Sequence, residues 1–303
     1  MKVAGFTIIK NAVKYGYPLV ESLSSLLPLC DQVFVLAGDS DDGTEDLIRS
    51  ISSDKIVILQ SVWDKTLTQN GEILSVETNK ALAAIPPEYD WCIYLQADEV
   101  IHENDYPEIK AGMLQYQQHA LVQGLLFQYK HFWGSYDYIC NSTRWYRKEI
   151  RIIKNDKEIF SFKDAQGFRY RPNEKLNVVE LNACIYHYGW VRPPKKMQAK
   201  HAGVQQYWDN QAAPVADTDD FDYSQIDSLA RYTGSHPRVM QTVIAEYNWD
   251  FKYIPGLVEL SPKEKFKRIL EKLTGYRFFE YKNYKIIPAS ELKKHQPISH
   301  PAV

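Results

Sequence analysis

The order of apolar segments over the first hundred residues constrains this chain most. Lys2–Ile9 is a strand-length apolar run, Pro18–Leu29 carries apolar residues at helical spacing behind a proline suited to a helix start, and Gln32–Leu36 is a second strand-like run. Thr44–Ile51 reads as a short helix and Lys55–Leu59 as a third strand. Glu72–Ile85 reads as a helix closed by Pro86-Pro87, and Asp90–Leu95 as a fourth strand. Strand and helix alternating at this spacing predict right-handed crossovers and a mostly parallel, doubly wound sheet. Sheets of this kind bind ligands beyond the carboxyl ends of their strands, which marks two polar clusters, Gly38–Thr44 and Gln96–Glu99, as candidate sites.

After residue 120 the texture changes. Leu121–Tyr129, Glu149–Ile153 and Val178–Tyr188 read as strands, and Lys195–Asn210 as a helix. Residues 211–224 form an acidic loop, and Pro262–Leu273 is an amphipathic helix with Phe266, Ile269, Leu270 and Leu273 on one face. The division expected is a main α/β domain over 1–255 and a basic helical extension over 256–303.

Composition narrows the function. A net charge of −2 over 303 residues argues against a general nucleic-acid partner. The extension carries ten basic and five acidic residues, so its +5 leaves −7 on residues 1–255, an acidic body with a basic tail. No apolar run reaches the ~18 residues of a membrane span, and the N-terminal stretch lacks the cleavage site of a signal peptide. Four cysteines without a CxxC spacing fit reduced thiols and a cytoplasmic location. The 21 tyrosines and seven tryptophans exceed what a core needs.

Asp98, at the end of the fourth strand with a polar Gln96 two residues before it, can reach a hard cation such as Mg²⁺ or Mn²⁺, which typically takes one or two carboxylates and completes its shell with phosphates and water. The same spacing suits Asp98 and Glu99 as turn and cap residues. The cluster around Asp39 and Asp41 is too acidic for phosphate and favours donors such as a nucleobase N–H or ribose hydroxyls, or simple capping of the next helix by Asp42 or Thr44.

Taken together, the first strand ending near Lys10-Asn11, the turn DSDDGT and the aspartate closing strand four resemble the family 2 type of GT-A glycosyltransferases. The segments VWDKTLTQNGEILSVETNKAL (62–82) and IYHYGWVRPP (185–194) are similar to a bacterial subgroup of that family. The resemblance spans roughly residues 1–200. It implies a GT-A, Rossmann-like sheet flanked by helices, a UDP- or GDP-linked sugar donor, a divalent metal (Mn²⁺ or Mg²⁺) at its phosphates, and transfer of a hexose to a glycan or lipid-linked hydroxyl acceptor with inversion.

The family's DxD motif falls on Gln96-Ala97-Asp98, so a glutamine stands where its first aspartate would be. Gln96 can still hydrogen-bond a ribose, and the metal role passes to Asp98, with the late His187 as the second ligand. Asp39 and Asp41 then face base or ribose, and Lys80 and Arg192 are candidates for the diphosphate, each also readable as an ordinary surface charge. An inverting transfer needs a base to take the acceptor hydroxyl's proton, and the resemblance implies an Asp or Glu for it between the DxD and the late histidine or arginine. Asp164 is the choice ahead of Glu149 and Glu158, with pairing to Lys163 or Arg169 as its alternative.

The aromatic stretch 129–146 fits a mixture of core packing and sugar stacking, with Asn141, Arg144 and Arg147 at hand for hydroxyls. The basic face of the last helix can meet an anionic membrane or the acidic body. Two other functions fit the same fold. One is a catalytically inactive carbohydrate-binding protein that lost its first DxD aspartate. The other is a sugar-phosphate nucleotidyltransferase, which the single glycine in the loop 10–16 disfavours.

Overall fold

A computed structural model describes residues 1–208, 220–247, 249, 251–278 and 280–294. The acidic loop expected at 211–224 therefore lies mostly outside the described residues. In chain order the elements of the first half are β1 (Val3–Ile9), α1 (Ala12–Tyr15), α2 (Leu19–Leu26), β2 (Gln32–Ala37), α3 (Thr44–Arg49), β3 (Ile56–Gln60), α4 (Glu72–Ala83), β4 (Trp91–Tyr94), β5 (Glu99–Ile101) and α5 (Tyr106–Tyr116). Then follow β6 (Gly124–Trp133), β7 (Tyr138–Cys140), β8 (Lys148–Lys154), β9 (Ile159–Phe162), β10 (Gly167–Tyr170), β11 (Glu174–Lys175) and β12 (Asn177–Trp190). The remainder holds α6 (Pro194–Gln205), β13 (Leu229–Arg231), α7 (Gln241–Tyr247), α8 (Pro262–Thr274), β14 (Lys285–Ile286) and α9 (Ala289–Lys294).

The molecule is a mixed α/β fold: a large curled sheet flanked by helices, consistent with a Rossmann-like GT-A fold. Its first half runs β3-β2-β1-β4, all parallel. Every residue of β1 is buried, which is why its sequence is apolar throughout apart from Thr7 rather than an alternation. Leu19, Leu23 and Leu26 of α2, at helical spacing, are fully buried against one face of this half. The other half is joined through antiparallel pairings, β4 to β8 and β8 to β6, after which the long β12 runs parallel to β6.

Two consequences position a site. The strand order reverses between β1 and β4, a switch point of the kind that leaves a crevice above the strand ends. And the pairing of β12 with β6 is irregular between His187 and Trp190, so β12 bends where it reaches that crevice.

Candidate functional site

A cavity of about 500 Å³ opens beyond the carboxyl ends of β1 and β4. Lys10 comes to it from β1, Gln96 and Asp98 from β4, and His187 from β12. One side is a single face of α6 and the turn after it: Met197, Lys200, His201, Val204 and Trp208 recur at helical spacing and all line it.

Asp98 is the electrostatic centre. Its Oδ2 accepts from the Lys200 ammonium at 3.1 Å, with Arg192 Nη2 at 3.8 Å, and its Oδ1 stands 3.8 Å from His187 Nε2. Burial alone would raise its pKa, but Lys200 and Arg192 hold this carboxyl well below the usual carboxylate range. Lys200 also donates to the Gly189 carbonyl at 2.9 Å. Burial, with Arg192 nearby, pushes the Lys200 ammonium down to about 8. Nothing in its local sequence context distinguishes Lys200 from the other lysines of α6. Only the helix register, which puts it on the face of Met197 and Val204, could have singled it out.

The protonation pattern of the histidines follows from the hydrogen bonds. His131, buried on β6, has Nε2 2.8 Å from the Tyr146 carbonyl, which can only accept, so that nitrogen carries the proton. Burial and the neighbouring His187 push the His131 ring down to about 3, so it is neutral and its Nδ1 is bare. His187 Nδ1, 3.0 Å away, must then donate to it. His187 is itself pushed down to about 4 by burial, which leaves a free lone pair on Nε2, the atom that faces Asp98.

The residues present fit a divalent cation. Ligands of one ion at Mg–O-type lengths of ~2.1 Å stand at most ~4.2 Å apart, and the Asp98–His187 pair meets that limit at 3.8 Å. Gly189 keeps the space in front of them open: a Cβ there would stand 2.4 Å from His187 Nε2 and 3.0 Å from Asp98 Oδ2. Two side chains, Asp98 and His187, meet this limit, and no group of three or more acidic, His or Cys side chains suited to a metal occurs among the described residues. One carboxylate oxygen and one imidazole nitrogen suit Mn²⁺, with the remaining positions left to water and phosphate.

The other sequence candidates divide. Asp164 and Gln96 line the cavity. Asp39 is exposed at its rim, where its Oδ1 accepts from Lys10 Nζ (2.7 Å) and the Trp63 amide (3.1 Å), both residues of the cavity wall. Asp41 is exposed and does not line the cavity; the N-cap of α3 is Gly43, without a side-chain cap, and Asp42 just before it accepts from the Thr44 amide at 3.1 Å. Lys80 is not part of the wall either, its ammonium resting on Glu77 at 2.7 Å. Arg192 is buried rather than presented to the cavity: its Nε donates to the Gly16 carbonyl at 3.1 Å, its Nη1 to the Gly189 carbonyl, and its Nη2 has no hydrogen-bond partner among the described residues.

Asp164 occupies the turn between β9 and β10, flanked by two residues with left-handed backbone, Lys163 (φ 56°) and Ala165 (φ 58°). Two non-glycine residues at positive φ are costly and hold the carboxylate in a defined direction. Arg169 donates to Tyr281 Oη, Lys163 lies over the Phe162 ring, and among the described residues Asp164 has no ion pair. It also lines a second cavity of about 950 Å³, shared with Gln166 and Trp208 and walled by Asn70, Asn79 and Asn283. Asn283 is buried there, and among the described residues its Oδ1 has no hydrogen-bond partner.

The aromatic stretch divides between core and cavity wall, and none of its rings lines the second cavity. Phe132, Trp133 and Tyr136 are buried, with Phe132 stacked on Tyr188 and Trp133 on Trp190, while Tyr146 lines the first cavity. Arg144 and Arg147 line neither of these cavities. They bind Glu264 (3.0 Å) and Glu280 (2.8 Å) of the C-terminal region.

Glu149 sits behind Gln166, which donates to its Oε2 at 3.2 Å, and burial raises its pKa to about 7. Because the folded value lies above the usual 4.5, this contribution to stability is complete below pH 4.5 and is lost as the pH rises through about 7. Its full size is of order 3 kcal/mol. Glu149→Gln is therefore expected to narrow the stability difference between pH 5 and pH 8 by up to that amount, measured by urea denaturation. An unchanged difference contradicts the assignment.

No protein-family model matches this chain, and no curated protein matches it. Solved structures do, at low similarity. TarS of S. aureus in complex with UDP aligns with 65% of this chain and 62% of its own at 15% identity and a TM-score of 0.37. A longer TarS structure is covered over only 38% of its length. Glucosyl-3-phosphoglycerate synthase from Mycobacterium tuberculosis, in complex with Mn²⁺, UDP and phosphoglyceric acid, aligns over 44% of this chain and 43% of its own at 21% identity and a TM-score of 0.28. The 4-diphosphocytidyl-2C-methyl-D-erythritol synthase of Anaerococcus prevotii aligns over 51% and 70% at 11% identity and a TM-score of 0.33.

Proposed function

We propose that this chain is a glycosyltransferase that moves a hexose from a UDP- or GDP-linked donor to a hydroxyl of a glycan or lipid-linked acceptor, with inversion. The observation that carries this reading is the meeting of two cavities at one carboxylate. The first, rich in fixed charge, suits the nucleotide diphosphate. The second, walled by amide side chains and Trp208, suits a polyhydroxylated acceptor, and Asp164 belongs to both.

The division of labour follows from the positions. Asp39, through Lys10 and Trp63, shapes the rim that receives base and ribose, and Gln96 reaches the ribose. Asp98 and His187 would hold a divalent cation, which supplies charge neutralisation at the diphosphate when bound. Asp164 takes the proton of the acceptor hydroxyl while that oxygen attacks the anomeric carbon from the face opposite the diphosphate. The new C–O bond forms as the bond to the diphosphate oxygen breaks. Lys200, braced on Asp98 with Arg192 behind it, receives the departing negative charge.

A screen of UDP- and GDP-sugars for nucleotide release, run on wild type and Asp98→Asn, tests the reading. Wild type is expected to release nucleotide from one donor class, and the variant to lose at least ~100-fold in rate. Full activity in Asp98→Asn removes Asp98 from the site. Sugar binding without any response to nucleotide turns the reading toward a carbohydrate-binding protein.

A further inference from the structure

Helix α8 is docked with its apolar side outward. Its ends are well defined: Ser261 and Glu264 form a reciprocal capping box, Pro262 opens the first turn, and Gly275 closes the helix at φ 68°. The face toward the body is charged. Glu264 binds Arg144 at 3.0 Å, Arg268 binds the buried Asp227 at 3.4 Å, and Glu271 binds Arg147 at 3.7 Å and Arg277 at 2.9 Å. The opposite stripe, Phe266, Ile269 and Leu273, is 59%, 57% and 77% exposed. Tyr276, just beyond the helix, is also exposed. An amphipathic helix serving only its own domain would bury this stripe.

The charge around the stripe specifies what meets it. Lys265 and Lys272 border it on one side and Lys263 on the other, all exposed, while both acids of α8 are engaged on the inward face. Apolar side chains in the centre with lysines at the borders match the depth profile of a bilayer surface, acyl region beneath and anionic headgroups beside. A second copy of the chain would bring the same lysines against each other. At 13 residues α8 is about 20 Å long, too short to span a bilayer, so its contact would lie in the membrane plane. We infer that α8 seats this protein on an anionic lipid surface through Phe266, Ile269 and Leu273. The inference is independent of the catalytic reading.

Co-sedimentation of the full chain with phosphatidylcholine vesicles, with and without phosphatidylglycerol, tests it. Wild type is expected to pellet with the anionic vesicles and to be released by salt. Replacing Lys263, Lys265 and Lys272 together by Gln lowers the partition coefficient about 100-fold. Phe266→Ser/Ile269→Ser/Leu273→Ser abolishes pelleting with an unchanged melting temperature, since these side chains are already in water. Absence of pelleting, equal pelleting on phosphatidylcholine alone, or a dimer in light scattering that the serine variant dissociates each overturns the inference.

Discussion

Arg151→Met is expected to destabilise this protein by about 3–5 kcal/mol, the usual consequence of leaving one charge of a fully buried pair without its partner. Arg151 and Glu99 are both completely buried, and the guanidinium forks onto the carboxylate through Nε and Nη2 at 2.8 Å each. The rest of the pair is saturated. Glu99 also accepts from Tyr129 Oη (2.8 Å) and the Gln96 amide (3.0 Å), and Arg151 Nη1 donates to the carbonyls of Ile150 and Gln166. The pair thus ties together the loop that carries Gln96 and Asp98 and the loop that carries Asp164 and Gln166, two walls of one cavity. For a chain of this size the loss corresponds to a fall of roughly 5–8 °C in melting temperature. The double variant Glu99→Gln/Arg151→Met, whose amide still accepts from Gln96 and Tyr129 without an unpaired charge, is expected to recover part of it. A single variant melting within a degree or two of wild type would falsify the bracing role.

What the sequence made legible, and what it hid, follows from the range of the interactions. Seven of the ten elements of the first half are announced by local periodicity, with observed bounds within a few residues of the expected ones, whereas α1, β5 and α5 are not among the expected elements. Asp98 stands out because it closes a strand, whereas Asp164 is singled out only by its place between Gln96-Ala97-Asp98 and His187, which the resemblance implies. Lys80 shows how a local signal can be passed over: Glu77 lies three residues before it on the same helix, and that pair takes its charge. His131 and Gly189 were not legible at all. His131 acquires its role only through the β6–β12 register that sets it opposite His187, and Gly189 only through the bend of β12 that brings it against Asp98. Glu99 and Arg151 are separated by 52 residues and meet across the sheet. In α8 the amphipathic pattern was plain, but which side faces the body depends on Arg144, Arg147 and Asp227, contributed by distant segments.

Asp164→Asn is expected to lower the turnover number by ~10²–10⁴-fold, the range for removing a positioned general base, while leaving donor affinity nearly unchanged. The substitution keeps the size and polarity of the side chain, so the strained turn between Lys163 and Ala165 has no steric reason to change. What it removes is a carboxylate that lines both cavities and whose neighbouring cations, Lys163 and Arg169, are engaged elsewhere. Lys200→Gln separates the two halves of the mechanism in the opposite sense. Lys200 touches Asp98 and lines only the donor-side cavity, so its loss should weaken nucleotide binding, and the loss should be greater for the diphosphate than for the monophosphate. Titration calorimetry with UDP and UMP or GDP and GMP reads the binding side, and single-turnover transfer reads the chemical side. If Asp164→Asn instead loses donor binding and keeps the rate of bound donor, the carboxylate belongs to the nucleotide site, and the base must be sought elsewhere along the second cavity.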